Sequence, residues 1–143
     1  MSKVLLVADG SWVINEVRSS LTLGDWEIDE VSDPRQTSTL AKEYQAEAVI
    51  VDMQVGSMGG MAVVRDIRQS FDEASRPRTV LLLDRAADEF IARRAGADSC
   101  VLKPITASEL RRALGPGTKA AADLSRSARQ PKTPPASTAG KEE

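Results

Sequence analysis

Ala48-Val49-Ile50-Val51-Asp52 is a short, mostly β-branched run that ends in a carboxylate. Glycines follow at positions 56, 59 and 60, and a short apolar run bounded by glycine is typical of a buried strand. In a parallel α/β sheet, the carboxyl ends of the strands open into the crevice where ligands bind. The sequence therefore predicts that Asp52 lies at the end of a buried strand, where it could take a phosphoryl group or hold a metal ion.

Three further apolar runs also lead to a charged residue. Residues 3–7 lead to Asp9, residues 79–83 lead to Asp84, and residues 100–102 lead to Lys103. The carboxyl ends of parallel strands lie at one edge of a sheet. We therefore expect three acids and one lysine to converge on a single site.

Signals for helices separate these strands. Ser11 is placed to cap a first helix, Asp33-Pro34 starts a second, a third follows Gly60, Gly96 ends a fourth, and the capping box 106–109 opens a fifth. Residues 26–31 alternate imperfectly between apolar and polar and indicate the remaining strand. Five strand–helix pairs with short connections predict a parallel sheet that is covered by helices on both faces.

The composition is that of a folded, soluble domain. The 143 residues are 41% hydrophobic and 28% charged, with a net charge of −2, which gives no overall attraction to nucleic acid. The chain contains no His, which removes the usual metal ligand and general base. The single cysteine, Cys100, excludes an internal disulfide and favours a reducing compartment. Neither a secretory signal nor a membrane span is evident, so we expect a cytoplasmic protein that does not bind membranes.

The composition changes near Leu114. From position 115 onward, Gly, Pro, Ala, Ser, Thr and charged residues dominate, and Leu124 is the only strongly apolar residue. This segment cannot bury enough apolar surface to offset the entropy lost on ordering. We therefore predict a folded domain over residues 1–114 and a disordered tail over residues 115–143.

Four short motifs occur in a fixed order along the domain. They are Val51-Asp52-Met53, Met58-Gly59-Gly60, Gly96-Ala97-Asp98 and Leu102-Lys103-Pro104. In this order and at this spacing they resemble the receiver domain of response regulators, the phosphoacceptor module of bacterial two-component signalling. The resemblance covers residues 3–114. It implies a flavodoxin-like (βα)5 fold, a doubly wound parallel α/β sheet with strand order 2-1-3-4-5.

The resemblance also implies a role for each site residue. Asp52 is the phosphoacceptor, Asp9 a Mg²⁺ ligand, the backbone carbonyl of Gln54 a further Mg²⁺ ligand, and Lys103 the phosphate-binding lysine. This assignment is chemically sensible, because Mg²⁺ prefers oxygen ligands and keeps several waters, so two carboxylates and one carbonyl suffice. The metal and the lysine would neutralise charge on the transferring phosphoryl group. The implied partners are a sensor histidine kinase or phosphotransfer protein and a downstream protein target, and homodimer formation stays open.

Four positions depart from the family pattern. Most receiver domains have a second acid at position 8, where this chain has Ala8, so we expect Mg²⁺ to bind weakly. A Ser or Thr usually stands at position 84, an aromatic residue at position 100 and often a proline at position 56; here they are Asp84, Cys100 and Gly56. We expect Cys100 to serve as a small buried apolar residue rather than as a redox sensor.

Asp84 is the departure with the largest expected effect. A carboxylate cannot donate a hydrogen bond to a phosphoryl oxygen, and two like charges at ~4 Å repel by roughly 4 kcal/mol at an effective dielectric constant of ~20. If Asp84 faces the site, it should pair with Lys103 and disfavour phosphorylation. The alternative is that Asp84 turns out to solvent and changes little. Trp12, just beyond Asp9, is expected to pack against the site or partly cover it.

Two functions remain open from the sequence. The favoured one is an atypical single-domain response regulator that acts through protein–protein contacts, with Asp52 as candidate phosphoacceptor. The alternative is a degenerate pseudo-receiver that binds its partner independently of phosphorylation. We do not expect an enzyme or a nucleotide-binding protein, because no glycine-rich phosphate loop and no nucleophile–base pair are evident. We also do not expect direct DNA binding, because no helix-turn-helix segment follows the domain and residues 1–114 are acidic.

Deletion of residues 118–143 is predicted to leave the melting temperature of the domain nearly unchanged, because the segment lacks apolar residues that could pack against it. Thermal unfolding of the full chain and of the truncated chain, followed by circular dichroism, measures the difference. A loss of several degrees on truncation would show instead that the tail packs on the domain.

Overall fold

Five parallel strands form one sheet in the computed structural model, which describes residues 2–22, 24–56 and 58–115. In chain order they are β1 (Ser2–Val7), β2 (Trp26–Glu30), β3 (Ala48–Asp52), β4 (Arg78–Leu83) and β5 (Ser99–Leu102). Their order across the sheet is β2-β1-β3-β4-β5, and all four pairings are parallel. This arrangement confirms the predicted flavodoxin-like fold and strand order.

A helix follows each strand. The helices are α1 (Ser11–Ser20), α2 (Thr37–Glu43), α3 (Gly60–Ser70), α4 (Glu89–Ala95) and α5 (Ala107–Leu114). Two short 3₁₀ turns, Pro34–Gln36 and Ala86–Asp88, lead into α2 and α4. None of the helices in the described ranges is long and apolar enough to cross a bilayer.

The sheet is buried on both faces by two apolar layers. On one face, strand residues such as Leu6 and Ile50 pack with residues of α1 and α5. On the other face, Leu5, Val49 and their neighbours pack with residues of α2, α3 and α4. Successive strand residues point to opposite faces, so a strand that is covered on both sides must be apolar throughout. This explains why residues 48–51 form an unbroken apolar run.

The start of α1 differs from the prediction. The sequence predicts Ser11 as the cap of this helix, but the helix begins at Ser11 and the preceding residue, Gly10, is the N-cap. Gly10 has extended backbone angles and no side chain, so no side-chain hydrogen bond caps the helix. The prediction was wrong by one residue, because Ser11 already has helical geometry and Gly10 occupies the cap position.

The other helix signals act as predicted. Asp33 accepts a hydrogen bond from the backbone N–H of Arg35 at 3.0 Å, where the first 3₁₀ turn begins. The Thr106 hydroxyl accepts one from the backbone N–H of Glu109 at the start of α5. Gly96 ends α4 in the left-handed conformation with a φ of 116°, which favours glycine. These local signals fix where the helices begin and end, and so they set the lengths of the loops that connect them to the strands.

Part of the predicted domain organisation lies outside the described residues. Gly115, the first residue of the predicted tail, is the C-cap of α5. Residues 116–143 are not described, so the predicted disorder of the tail remains a prediction.

Gly60 allows α3 to start directly against the end of β3. A Cβ atom added to Gly60 would lie 2.5 Å from the backbone oxygen of Asp52 and 2.8 Å from the Cα of Met53. Both atoms belong to the backbone, so a rotamer change cannot relieve the overlap. The glycine therefore fixes how closely α3 approaches the carboxyl end of β3.

Gly60→Ala is predicted to lower the free energy of unfolding by about 3 kcal/mol, because the backbone around Asp52 must shift. Gly10→Ala is the matched control: its φ of −78° suits alanine, and its added Cβ would meet nothing closer than 3.5 Å. The control should lose only about 1 kcal/mol, because alanine is a poorer helix N-cap than glycine. Urea denaturation of the three proteins measures both values. Equal losses would contradict a steric role for Gly60.

Candidate functional site

Asp52 is the last residue of the central strand β3 and is 5% exposed. Its neighbours β1 and β4 flank it on both sides, and in the β3–β4 register it lies opposite Leu82. One carboxylate oxygen, Oδ1, accepts a hydrogen bond from the backbone N–H of Gln54 at 3.3 Å. Burying a carboxylate costs free energy of folding unless the charge is paired, so Asp52 requires a cationic partner.

Lys103 supplies that partner from the end of β5. Its Nζ lies 2.7 Å from Oδ1 of Asp52 and 3.0 Å from Oδ1 of Asp84. The Lys103 side chain is only 9% exposed. Burial by itself disfavours the charged ammonium, but the hydrogen bonds and charges of Asp52 and Asp84 outweigh it and raise the pKa of Lys103. Lys103 is therefore a cation that two carboxylates share.

Asp84 faces the site rather than solvent. Its carboxylate follows β4, is 37% exposed and forms an ion pair with Lys103. This is the orientation in which the sequence predicts competition with an incoming phosphoryl group. The ion pair joins the ends of β3, β4 and β5 through one ammonium group. Residues at three strand ends, 52, 84 and 103, are thus brought together as the sequence predicts.

Asp9 lies after β1 and uses one oxygen to hold a neighbouring loop. Its Oδ2 accepts a hydrogen bond of 2.6 Å from the backbone N–H of Gly56, in the loop between β3 and α3. Gly56 has a φ of 54°, and a Cβ atom added to it would lie 3.2 Å from the Cγ of Pro34. A proline at position 56, which is common in the family, has no backbone N–H and could not donate this hydrogen bond to Asp9. The sequence analysis did not predict this contact. The glycine at position 56, where the family often has proline, was the feature that could have indicated it.

Asp9 and Asp52, with the backbone carbonyl of Gln54, are the residues that could hold Mg²⁺. Over residues 2–22, 24–56 and 58–115, no group of three or more His, Cys, Asp or Glu side chains could hold a metal ion. Each carboxylate already has one oxygen engaged, by Gly56 and by Lys103 respectively. Two carboxylates and one carbonyl fit a hard cation that keeps several waters. The donor set thus fits Mg²⁺, with less negative charge than a three-acid site would have.

Trp12 covers one side of Lys103. The centre of its ring lies 5.6 Å from the Lys103 Nζ, and the Trp12 residue is itself 55% exposed. The ring thus stands between the lysine and solvent. This position agrees with the expectation that Trp12 partly covers the site.

Cys100 is half-buried on β5, beside a cavity of about 340 Å³. The cavity is also lined by Leu83, Ala86 and Arg93. Burial raises the pKa of the Cys100 thiol, although the charge of Arg93 partly opposes this rise. A thiol with a raised pKa is a poor nucleophile, which fits an apolar packing role better than redox chemistry.

Asp98 of the Gly96-Ala97-Asp98 motif braces the far end of β4. Its Oδ2 accepts hydrogen bonds from the backbone N–H of Thr79 at 2.8 Å and from the Thr79 hydroxyl at 3.2 Å. The same oxygen lies 3.2 Å from a guanidinium nitrogen of Arg76. The motif therefore has a structural role here. Thr79 is a fully buried polar residue in an apolar strand, and such a residue indicates that a hydrogen-bond partner lies nearby.

Comparisons with known sequences agree with this geometry. The family profile of the response regulator receiver domain matches residues 4–115. The response regulator MprA of Mycolicibacterium vanbaalenii is 29% identical over 109 residues, which cover 76% of this chain and 46% of that protein. The regulatory protein VanRB of Enterococcus faecalis is 30% identical over 102 residues, which cover 71% and 46%. The chain spans about half the length of these curated relatives.

Solved structures show the same fold. One is the receiver domain of the sensor histidine kinase PA1611 from Pseudomonas aeruginosa, which has a magnesium ion in its active site cleft. It superimposes with a TM-score of 0.68 at 23% sequence identity, and the match covers 79% of this chain and 93% of that one. The BeF3-activated receiver domain of RstA from Klebsiella pneumoniae gives 0.65 at 21% identity, covering 90% and 100%. With the family profile matched over most of its length, this chain belongs to the response regulator receiver domain family.

Proposed function

We propose that Asp52 of this receiver domain accepts a phosphoryl group from a sensor histidine kinase or a phosphotransfer protein, and that the domain passes the signal on through contacts with a downstream protein. The observation that carries the proposal is the 2.7 Å ion pair between Asp52 and Lys103 at the carboxyl ends of β3 and β5. A nucleophilic carboxylate and a cation for the phosphoryl oxygens are the two groups that the transfer needs from the protein.

The transfer follows from the positions of these two groups. An Asp52 oxygen attacks the phosphorus of the donor, and an O–P bond forms as the P–N bond of the phosphohistidine breaks. The leaving imidazole keeps the electron pair and takes a proton. Lys103, already hydrogen-bonded to Asp52, is placed to donate to the phosphoryl oxygens once they arrive. In this proposal the domain is itself modified and does not turn over a substrate, so it is not an enzyme in the usual sense.

Bound Mg²⁺ would neutralise charge on the transferring phosphoryl group. We propose that Asp9, Asp52 and the backbone carbonyl of Gln54 hold it. The magnesium ion in the receiver domain of PA1611 supports this for the fold. Because position 8 is alanine and one oxygen of Asp9 is engaged by Gly56, we expect the binding to be weak.

A second candidate function rests on Asp84. Its carboxylate already pairs with Lys103, and it would repel a phosphoryl group on Asp52. At ~4 Å and an effective dielectric constant of ~20 this repulsion is roughly 4 kcal/mol before a metal ion screens it. The Asp84–Lys103 pair therefore favours, as the alternative, a pseudo-receiver that binds its partner without phosphorylation.

The partners are proposed to be proteins. The acidic balance of residues 1–114 opposes contact with DNA phosphates, and it leaves protein surfaces, including a second copy of the chain, as targets. A cytoplasmic location, which the single cysteine favours, belongs to the same proposal.

Treatment with acetyl phosphate and Mg²⁺ is expected to add one phosphoryl group to the wild-type chain, measured by intact-mass spectrometry. Asp52→Asn should show no addition, because an amide cannot attack phosphorus. Asp9→Ala should show less, because a metal ligand is lost. If neither acetyl phosphate nor a histidine kinase modifies Asp52, the phosphoacceptor proposal is wrong and the pseudo-receiver is favoured.

Asp84→Thr is predicted to increase labelling of Asp52, or binding of a beryllofluoride phosphoryl mimic, by at least about tenfold, equivalent to ~1.4 kcal/mol. The threonine restores a hydroxyl donor and removes the repulsion. Asp84→Asn is the control, since it removes the charge at nearly constant size and should give an intermediate gain. Equal labelling of all three proteins would show that the carboxylate does not oppose the phosphoryl group.

A further inference from the structure

Trp12 has an unusual position for a large aromatic residue. It is the second residue of α1, immediately after the loop that carries Asp9. Its ring lies alongside Gly10, where an added Cβ atom would be 3.5 Å from ring atoms Cδ1 and Nε1. The ring is thus folded back over the loop between β1 and α1, with one side against the loop and more than half of the residue exposed. Trp26, by contrast, packs against an apolar layer of the sheet.

The ammonium of Lys103 has neighbours of two kinds. Two are the carboxylates of Asp52 and Asp84, at 2.7 and 3.0 Å. The third is the face of the Trp12 ring, at 5.6 Å from Nζ to the ring centre. The face of an indole ring is electron-rich and attracts a cation within about 6 Å. The contact has the geometry of a cation–π interaction on a side chain that is only 9% exposed.

We propose that Trp12 is a positioning residue, whose indole face holds the Lys103 ammonium in place between Asp52 and Asp84. The inference deepens the proposed function, on which it rests for the role of Lys103 toward a phosphoryl group. The contact between the ring and the lysine is itself independent of phosphorylation.

The chemistry of the three neighbours explains why an aromatic ring suits this role. A phosphoryl group on Asp52 must take Lys103 hydrogen bonds that the two carboxylates now accept. The ring accepts no conventional hydrogen bond and carries no net charge, so it does not compete for those donors. It can therefore hold the ammonium in the cleft while the lysine exchanges carboxylate oxygens for phosphoryl oxygens.

The test measures how readily the Lys103 amine reacts. Limited reductive methylation with formaldehyde and cyanoborohydride is followed at each lysine by peptide mass spectrometry, in wild type, Trp12→Phe and Trp12→Leu. Leucine keeps apolar bulk but has no π face, whereas phenylalanine keeps the face. Lys3 and Lys42, which lie over the rings of Tyr44 and Phe71, serve as internal references for the fold in every sample.

Trp12→Leu is expected to speed methylation of Lys103 about fivefold, with Trp12→Phe within about twofold of wild type and the references unchanged. The proposal is overturned if the leucine variant reacts like wild type, or if both variants react equally fast, since the ring would then act only as bulk. The assay needs no phosphate. A chain that shows the expected methylation pattern but never labels Asp52 would thus refute the proposed function and leave the positioning role standing.

Discussion

The ammonium group of Lys103 neutralises the buried carboxylate of Asp52, and the rest of the site depends on this ion pair. A buried charge without a partner destabilises a protein by several kcal/mol, about 3–5 when one partner is removed. The pair joins two strands that are not neighbours, because β4 lies between β3 and β5. It therefore requires the register of both pairings, Asp52 opposite Leu82 and Leu83 opposite Leu102. The two apolar layers and the close start of α3 at Gly60 hold that register.

Around this pair the chain distributes its remaining charges in an unusual way. An acid is missing at position 8 and another is present at position 84, so negative charge has moved from the metal side of the site to the lysine side. Asp84 forms an ion pair with Lys103, and one carboxylate oxygen of Asp9 accepts a hydrogen bond from the backbone N–H of Gly56. Both changes stabilise the site in the absence of a phosphoryl group. They are the physical reason why phosphorylation of Asp52 and phosphorylation-independent binding are both proposed for this domain.

Much of the fold follows from local sequence signals. Apolar runs identified the strands, and short-range signals such as Gly96 and Thr106 marked helix ends correctly, because the atoms involved are a few residues apart. The convergence of residues 52, 84 and 103 followed from parallel topology. The Asp9–Gly56 hydrogen bond did not, because it joins residues 47 positions apart and depends on one backbone angle. The direction of Asp84 depended on a rotamer choice that only the surrounding charges decide.

The hydrogen bond from Gly56 to Asp9 also affects how the molecule opens. It ties the loop after β3 to the loop after β1, and the two residues that it joins are themselves exposed. Gly56 in turn lies against Pro34, at the start of the turn that leads into α2. Three connections at the carboxyl edge of the sheet are therefore linked in series. We therefore expect these linked segments to open as one cooperative unit in native-state hydrogen exchange, rather than as independently fraying loops.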